Sequence, residues 1–567
     1  MPRQGQQQGQ APDLRHGGRI LADQLAILGA TRVFCVPGES FLALLDGLHD
    51  HRDRIELVTC RHESGAANMA DAHGKLTGQP GIVAVTRGPG ATNASNGVHT
   101  AFQDSTPMIL LIGQVATTMT DREAFQEIDY RRMFGQMAKW VAQIDRVERI
   151  PEYISRAWAL AQSGRPGPVV LALPEDVLSG HASVPDAAPV DAARPAPTPA
   201  AMDRLGAMLA ASERPMMLVG GPGWSADVAR QAEAVAARFD LPVATSFRCQ
   251  DYVDNDHPNY AGAVGIASLP SLVDRIRNQV DLLINLGSRL GEMTTQGYGL
   301  IDLPVPQMPF VHVHPGADEL GHVYAPTLSV PSAPGAFLAA MQGIAPPPKN
   351  RRDWTGSFHP ALQAYRRPTD VPGPVNMGRV VQHMSRTLPD DTIFTNGAGN
   401  YTVWLHRFHA HRRFRTQLAP TSGSMGYAVP AAVAAKLEHR DRTVVCMAGD
   451  GCFLMTAQEL ATARHHRLAI ICLVVNNAMF GTIRMHQERT YPGRVTATGL
   501  TNPDFTAYAA AFGIPGEVVT DDSQFPDALQ RARGSDAGYL IELRVDPQAL
   551  TPTLSLDAVR EQGLAGG

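Results

Sequence analysis

An acidic residue and a pair of amides stand at the ends of two apolar segments in the last third of the chain. Segment 443–447 runs into Gly449-Asp450-Gly451, and the later segment 470–475 runs into Asn476-Asn477. Both segments are predicted to be buried strands of a parallel sheet, whose carboxyl edge is where α/β folds bind ligands. Carboxylate, amide and carbonyl oxygens suit Mg2+, and glycines let a phosphate approach the backbone. Either motif alone would indicate an ordinary turn, but together they predict a metal and phosphate site.

The paired motifs resemble the GDG and NN pattern of thiamine diphosphate-dependent enzymes. The resemblance implies that Asp450 and Asn477 are Mg2+ ligands and that the backbone carbonyl of Met479 is the third ligand from the protein. It also implies that Gly449 and Gly451 lie against the diphosphate. Thiamine diphosphate and Mg2+ are therefore the expected cofactors.

Residues upstream of these motifs extend the resemblance. Segment 421–430 resembles the stretch that bends bound thiamine, which implies that Met425 lies beneath the bend and that the Gly423 carbonyl accepts from the 4′-amino group. By itself Met425 would be interpreted as core packing. A turn that contains Gly397 and Asn400 is a candidate for binding the diphosphate.

Glu63, which follows the predicted strand 55–60, is the candidate for activating the cofactor. A Glu at the start of a helix is ordinarily a capping or surface residue. The run 61–67, however, resembles the RHE-x-GA-A motif of the family's pyrimidine-binding domain. The resemblance implies that the Glu63 carboxyl group faces N1′ of the aminopyrimidine and helps to form the ylide at the thiazolium C2. A poorly solvated carboxyl group can share a proton with such a ring nitrogen.

Within this family, the chain is similar to acetolactate synthase large subunits from about residue 15 to residue 550. Segments 86–93, 101–107 and 124–127 carry much of the similarity, and the last implies that Gln126 points toward the cofactor-bound intermediate.

The same resemblance has a consequence for assembly. It implies that Glu63 of one subunit lies against Asp450 of its partner. A homodimer is then the smallest active unit, and a tetramer can be built from it.

Three positions depart from the acetolactate synthase pattern and leave the reaction open. Met293 stands where the resemblance expects an arginine for the acceptor's carboxylate, and His486 replaces the tryptophan of the substrate pocket. Glu39 replaces a small residue. Pyruvate decarboxylases carry a catalytic acid near that place, so Glu39 is a candidate for protonating an intermediate, with a solvated turn residue as the alternative. His486 and His62 are further candidates for the pocket.

Binding of FAD is left open. Gly220-Gly-Pro-Gly223 follows a predicted strand and would present its backbone to a dinucleotide phosphate. However, Val313-His-Pro-Gly316 stands where the resemblance expects acidic residues. A glycine turn alone is a weak indicator of a dinucleotide site.

The elements that must position these residues are short apolar segments alternating with helical patterns, which is typical of α/β domains. The fold class that we predict is three doubly wound parallel-sheet domains, as in thiamine diphosphate-dependent decarboxylases and carboligases. The predicted boundaries are a disordered tail at 1–14, a pyrimidine-binding domain at 15–181, a linker at 182–200, a central α/β domain at 201–345, a diphosphate- and Mg2+-binding domain at 353–550 and a C-terminal tail at 551–567.

The composition argues against several other classes of protein. The chain has 567 residues, of which 44% are hydrophobic and 18% charged, as in a globular protein of about three domains. Its net charge of −5 gives no electrostatic reason to expect nucleic acid as a partner. No uncharged apolar stretch is long enough to span a membrane. Six cysteines without a CxxC pair favour a reducing compartment, so we expect the cytoplasm.

The sequence therefore predicts an acetolactate synthase-like carboligase or lyase that acts on a 2-oxo acid. The resemblance implies attack of the C2 ylide on the carbonyl, loss of CO2, and addition of the resulting enamine to a carbonyl acceptor or a proton. Three alternatives stay open: a 2-oxo acid decarboxylase that releases an aldehyde, a 2-hydroxyacyl-CoA lyase, and a non-catalytic regulatory subunit. An inactive subunit would be expected to have lost Glu63 or the metal ligands, and the sequence keeps both.

Overall fold

A computed structural model describes residues 13–566, so most of the tail predicted at 1–14 lies outside the described residues. Between these limits the chain forms three six-stranded sheets, in which every strand pairs parallel to its neighbours and helices cover the faces. Parallel neighbours require crossover connections, and helices supply them. The predicted α/β class with three parallel sheets is confirmed. No helix in this part of the chain is both long and apolar enough to cross a membrane.

The first sheet has helices on both faces. The elements of this first unit, in which β1 and β8 pair with each other apart from the sheet, are β1 Arg15–His16, α1 Gly17–Leu28, β2 Arg32–Cys35, α2 Leu42–Asp50, β3 Glu56–Thr59, α3 Glu63–Thr77, β4 Gly81–Val85, α4 Pro89–Asp104, β5 Met108–Gln114, α5 Tyr130–Phe134, β6 Trp140–Gln143, α6 Ile150–Gln162, β7 Pro168–Pro174, α7 Glu175–Ser179 and β8 His181–Ala182. The strand order is β3-β2-β4-β5-β7-β6. Alternate residues of β2 face opposite layers, because Phe34 packs with α3 and α4 whereas Val33 packs with α1.

The second sheet has the order β11-β10-β9-β12-β13-β14. The elements of this central unit are α8 Pro199–Ala211, β9 Pro215–Val219, α9 Ala226–Phe239, β10 Val243–Thr245, β11 Tyr260–Ala263, α10 Pro270–Asn278, β12 Leu282–Leu286, β13 Phe310–His314, β14 Leu328–Pro331, α11 Pro334–Met341, α12 Arg352–Gly356 and α13 Phe358–Tyr365. Phe358 and Leu362 of α13 pack in the core of this unit. Helix α13, which lies beyond the boundary predicted at 353, thus packs on the central unit.

The third sheet has the order β16-β15-β17-β18-β20-β19. The elements are α14 Met377–Thr387, β15 Ile393–Asn396, α15 Tyr401–Phe408, β16 Gln417–Leu418, α16 Ala428–Glu438, β17 Val444–Gly449, α17 Asp450–Leu454, α18 Leu460–His465, β18 Ile471–Asn476, α19 Gly481–Thr490, α20 Phe505–Ala511, β19 Gly516–Val519, α21 Phe525–Arg533, β20 Tyr539–Arg544, β21 Ala549–Thr551, β22 Leu554–Ser555 and α22 Leu556–Gly566. The strands predicted at 443–447 and 470–475 correspond to β17 and β18.

The segment predicted as a C-terminal tail contains ordered secondary structure. Strands β21 and β22 pair antiparallel, and α22 then packs on α19. Arg560 of α22 donates to both carboxylate oxygens of Glu488, at 2.9 Å each, and lowers the pKa of Glu488 to about 2. The description of 551–567 as a tail is corrected, because this ion pair and the apolar residues Leu556 and Val559 fix the segment against α19.

The first and third units share one hydrophobic core. Helices α3 and α16 pack against each other through small buried residues, which include Ala66 and Ala70 on one side and Ala431 and Ala435 on the other. Alanine side chains allow two helices to approach closely, since the distance between helix axes depends on the side chains at the contact. Glu63 at the start of α3 is thereby fixed relative to the third sheet.

The central unit holds the edge strand β16 of the third sheet. Asp251 is buried and accepts hydrogen bonds from the backbone N–H groups of Thr416 and Gln417, at 2.9 and 3.2 Å. Burial raises the pKa of the Asp251 carboxyl group to about 6. The carboxyl group of an unfolded chain has a pKa of about 3.9. The folded state is therefore stabilised by the neutral Asp251 carboxyl group at a pH below the pKa of the unfolded chain. This stabilisation is lost as the pH rises through about 6.

The variant Asp251→Asn should reveal this titration. An amide does not titrate, so the Tm of the wild type minus the Tm of the variant should be larger at about pH 4.5 than at about pH 7.5. Differential scanning calorimetry at several pH values measures both Tm values. A difference that stays constant over this range would contradict the raised pKa.

Candidate active site

The carboxyl ends of β17 and β18 bring Asp450 beside the asparagine pair. Gly449 pairs with Val475 across the two strands, so the loops that follow leave from the same edge. Asn502 joins these loops, because its Nδ2 donates to Asp450 Oδ2 at 2.8 Å and to Asn476 Oδ1 at 2.9 Å. The sequence analysis missed Asn502, since an asparagine before a proline is typical of an ordinary turn.

Asp450 is a buried carboxylate without a cationic side chain as its partner in the described chain. It is buried, it accepts from the Gly451 N–H at 2.9 Å, and burial raises the pKa of its carboxyl group. No Arg, Lys or His among residues 13–566 forms an ion pair with it. Burying a carboxylate without a positive partner is unfavourable, so the site fits a bound cation.

The other two predicted metal ligands lie in one tight turn. Asn477 Oδ1 accepts from the Met479 N–H at 3.2 Å, and the Met479 carbonyl accepts from the Gly481 N–H at 2.9 Å. Ala478 between them has φ 54°, in the left-handed region that is rare for alanine and concentrated at functional sites. The Asn477 Oδ1 and Met479 carbonyl oxygens each have two lone pairs, so each can accept its hydrogen bond and still bind a cation.

The described chain contains no cluster of three or more His, Cys, Asp or Glu side chains suited to a metal. Mg2+ at this edge would therefore depend on one carboxylate together with amide and carbonyl oxygens, which is a normal donor set for this ion when phosphate oxygens and water complete it. The residues present fit Mg2+ with a diphosphate.

The three glycines predicted at the diphosphate end lie close against neighbouring side chains. A β-carbon on Gly449 would lie 3.0 Å from the ring of Tyr401, and one on Gly451 would lie 2.6 Å from Phe480. A β-carbon on Gly397 would lie 2.5 Å from Cys452 Sγ. A larger residue at Gly397 or Gly451 would therefore displace its neighbour, and one at Gly449 would crowd the Tyr401 ring.

Asn400, the other predicted residue of this turn, connects α15 to α19. Its Oδ1 accepts from Thr482 Oγ1 at 2.9 Å, and its Nδ2 lies 3.7 Å from Met485 Sδ. The side chain thus fixes the helix that follows the metal-binding turn. Its binding to a cofactor remains a prediction.

The segment predicted to support thiamine is tied to the metal-binding edge through a thiol. Cys452, in the helix that begins at Asp450, accepts from the Gly426 N–H at 3.2 Å. Gly423 has φ 70°, and a β-carbon there would meet no atom within 4 Å, so open space lies beside it. Met425 is half-buried and packs against a hydrophobic core of the third unit. This geometry leaves room for a ligand over the segment.

Glu63 is the first residue of α3, yet it does not cap that helix. His62 is the N-cap, and its Nδ1 accepts from the Ser64 N–H at 3.2 Å. The buried carboxylate of Glu63 instead accepts from Asn93 Nδ2 at 3.0 Å. Glu459 of the third unit accepts from the His62 N–H at 3.0 Å and so holds the turn before Glu63 in place. Neither Asn93 nor Glu459 was singled out from the sequence.

Glu39 and the loop of Gln126 meet at Arg87. The Arg87 guanidinium donates to the Phe125 carbonyl at 3.1 Å, lies 3.5 Å from the Glu39 carboxylate and pairs with Glu175. Gln126 has φ 68° and lies over the glycine that follows Arg87. The Glu39 side chain is largely exposed. Arg87 was not predicted as a site residue, although it lies in the segment 86–93 that carried the resemblance.

His486 and Met293 lie on separate surfaces. His486 is exposed on α19 and forms no hydrogen bond with any other predicted site residue between 13 and 566. Met293 is 41% exposed, and the nearby Arg289 donates to Glu319 at 3.2 Å. Arg289 is thus occupied by a carboxylate of the central unit.

The glycine turn after β9 is held by hydrogen bonds within the central unit. Strand β9 pairs with β12, and the crevice between two such strands is where these sheets bind dinucleotides. The Gly220 carbonyl accepts from Trp224 Nε1 at 2.9 Å, and the Gly221 carbonyl accepts from the Tyr252 hydroxyl at 2.8 Å. Glu319, the buried acid that follows β13, is paired with two arginines. Asp318, the other acid of this turn, is exposed, so the binding of FAD stays a prediction.

Comparison with known families agrees with this geometry. Residues 15–133 match the N-terminal TPP binding domain of thiamine pyrophosphate enzymes, 202–341 match their central domain, and 397–543 match their C-terminal TPP binding domain. The chain belongs to the thiamine pyrophosphate enzyme family. The binding of thiamine diphosphate is supported by both TPP binding domains.

Among curated proteins, this thiamine pyrophosphate enzyme is similar to acetolactate synthase large subunits. It is 30% identical over 535 residues to the isozyme 2 large subunit of Escherichia coli, which covers 94% of this chain and 96% of that protein. A probable large subunit of Methanocaldococcus jannaschii is 31% identical over 560 residues, with 94% and 93% covered. The large subunit of Corynebacterium glutamicum is 30% identical over 539 residues, with 92% and 85% covered. The resemblance drawn from the sequence is confirmed.

In this thiamine pyrophosphate enzyme, Asn502→Ala should weaken Mg2+-dependent binding of thiamine diphosphate. A loss of about ten- to a hundredfold is expected, because Asp450 would lose the amide that orients it. Titration calorimetry with and without Mg2+ measures the loss, and Asn278→Ala in the surface helix α10 serves as the control. Equal affinities of the wild type and Asn502→Ala would show that Asp450 does not depend on this amide.

Proposed function

We propose that the chain is a thiamine diphosphate- and Mg2+-dependent, acetolactate synthase-like carboligase or lyase that acts on a 2-oxo acid. The observation that carries the proposal is the buried Asp450, which has no cationic side chain beside it in the described chain, at the edge where Asn476 and Asn502 meet. The position of Glu63, buried at the start of α3 and not used as a helix cap, adds support. The similarity to acetolactate synthase large subunits indicates the reaction class.

Each predicted residue has a role that its surroundings allow. Bound thiamine diphosphate would supply a nucleophilic carbon and accept the electron pair that is left when CO2 departs. Asp450, Asn477 and the Met479 carbonyl would hold Mg2+. Met425 would support the bent cofactor, and the Glu63 carboxyl group would share a proton with N1′ of the aminopyrimidine.

Residues of the first unit would act at the substrate end. Gln126 and Glu39 lie on neighbouring loops at the carboxyl edge of the first sheet, and Arg87 connects them. Glu39 would give a proton to the product carbon or take one from it. His486, exposed on α19, would contact the substrate from the third unit.

A decarboxylase that releases an aldehyde is the second candidate, and one observation favours it. Met293 carries no charge, and Arg289 is occupied by Glu319. This segment therefore offers no free cation for the carboxylate of a second 2-oxo acid.

Incubation with a panel of 2-oxo acids and aldehydes, in the presence of thiamine diphosphate and Mg2+, tests the proposal. Products and CO2 are identified by mass spectrometry. Ligation of two carbonyl compounds with release of CO2 is expected, whereas free aldehyde as the only product would support the decarboxylase. An absence of turnover with every member of the panel would contradict both candidates.

We also propose a homodimer in which the site is shared between two chains. Large apolar side chains are exposed next to the predicted site on both units: Phe125 is 72% exposed beside Gln126, and Leu454 and Met455 follow the Asp450 segment with 37% and 48% exposure. Apolar groups of this kind beside a site favour coverage by a partner. A second copy of the chain that brings its Glu63 toward Asp450 would cover them.

Mixed dimers test the shared site. Homodimers of Glu63→Gln should bind thiamine diphosphate without turnover, and homodimers of Asp450→Ala should bind it poorly. Co-expression of the two variants should restore about a quarter of the wild-type activity, because half of the dimers would be mixed and each would hold one intact site. Co-expression of Glu63→Gln with Glu63→Ala is the control and should restore none. Failure of the first pair to recover would place Glu63 and Asp450 of one chain in the same site.

A further inference from the structure

Arg248 of the central unit reaches into the third unit behind the predicted diphosphate turn. It is 7% exposed, and its NH2 group donates to the Gly397 carbonyl at 2.8 Å. Its NH1 group donates to the Pro420 carbonyl. The Nε atom has no acceptor among residues 13–566. One guanidinium thus holds the two backbone segments that carry Gly397 and Met425.

Two features of Arg248 cost folding free energy, which is a common property of residues at functional sites. Its φ of 60° lies in the left-handed region, where a non-glycine residue is strained. No carboxylate of the described residues forms an ion pair with it, and burial lowers the pKa of the guanidinium to about 10. Burying a cation is unfavourable unless groups with negative or partial negative charge surround it, and the Gly397 and Pro420 carbonyl groups do so here.

The branch through Pro420 reaches an anion. The carbonyl of Pro420 and the N–H of Thr421 belong to one peptide group, and this N–H donates to Asp104 Oδ1 at 2.8 Å. A peptide that accepts from a cation on one side donates more strongly on the other, because the hydrogen bonds polarise each other. Arg248 is therefore paired with Asp104 of the first unit through one peptide.

The branch through Gly397 also runs through one peptide group, but no carboxylate of the described chain accepts from it. The Gly397 carbonyl and the Ala398 N–H also share a peptide group. The N–H groups of Ala398 and Gly399 donate to no acceptor within the described chain, and they lie just before α15. Free N–H groups at a helix start attract phosphate.

We propose that Arg248 is a positioning residue that polarises the Gly397–Ala398 peptide toward the diphosphate of the cofactor. The proposal rests on the proposed function, since it takes thiamine diphosphate as the ligand. The diphosphate supplies the anion that this branch lacks, as Asp104 does on the other branch. The central unit thereby takes part in cofactor binding without touching the thiamine.

Calorimetric titration with thiamine diphosphate and Mg2+, and separately with Mg2+ and inorganic pyrophosphate, tests the proposal. Arg248→Met should weaken the binding of both ligands about tenfold, as expected for the loss of a charge-assisted hydrogen bond. Arg366→Met is the matched control: Arg366 is also buried between the central and third units, but it donates to Asn255 Oδ1 at 2.7 Å and not to the turn. The control should bind both ligands as the wild type does.

Ethylguanidinium should restore part of the lost affinity in Arg248→Ala, which leaves a cavity of its size, and a general loss of structure would not allow this rescue. If Arg248→Met does not fold, Arg248→Lys is measured; it keeps the charge but cannot hold both carbonyl groups, so a smaller loss is expected. Wild-type affinity in the variant that folds, or an equal loss in Arg366→Met, would overturn the proposal. A wild-type protein that binds neither ligand would instead refute the proposed function.

Discussion

The candidate site depends first on the parallel pairing of β17 with β18. This register makes both strands end at one edge of the third sheet, so Asp450 and Asn476 leave it side by side. A parallel pair cannot be joined by a short turn, and helix α18 lies in the connection between the two strands. The separation of the two motifs in sequence is thus a consequence of the fold. A shift of one residue in this register would turn the side chains to opposite faces of the sheet.

The second constraint is the junction at which the first and central units hold the segment 416–427 of the third unit. Asp251 of the central unit binds the backbone of β16. Asp104 of the first unit accepts from the Thr421 N–H at 2.8 Å, and Asp71 accepts from the Tyr427 hydroxyl at 2.6 Å. Lys75 forms ion pairs with both of these aspartates, and its positive charge offsets the cost of burying two carboxylates. The segment that contains Met425 is thus fixed from outside its own sheet.

The same arrangement explains why the cofactor is better defined than the reaction. The residues predicted to bind the cofactor lie in turns that β-strands, buried carboxylates and interdomain hydrogen bonds hold in place. The residues that would choose a substrate, such as Glu39, Met293 and His486, are exposed, and few contacts restrict them. Substrate-binding surfaces can therefore change during evolution while the cofactor-binding frame persists.

The sequence by itself determined the class of fold and the family, and it predicted residues for both ends of the cofactor. Strand patterns such as that before Asp450 are local, and motifs such as Arg61-His62-Glu63 keep their meaning without knowledge of distant residues. Only the tertiary structure revealed Asn502, Glu459 and Arg248, because their partners lie far away in the chain and their own neighbours indicate ordinary turns or helices. It also assigned α13 to the central core, since which sheet an amphipathic helix covers depends on packing and not on its own pattern.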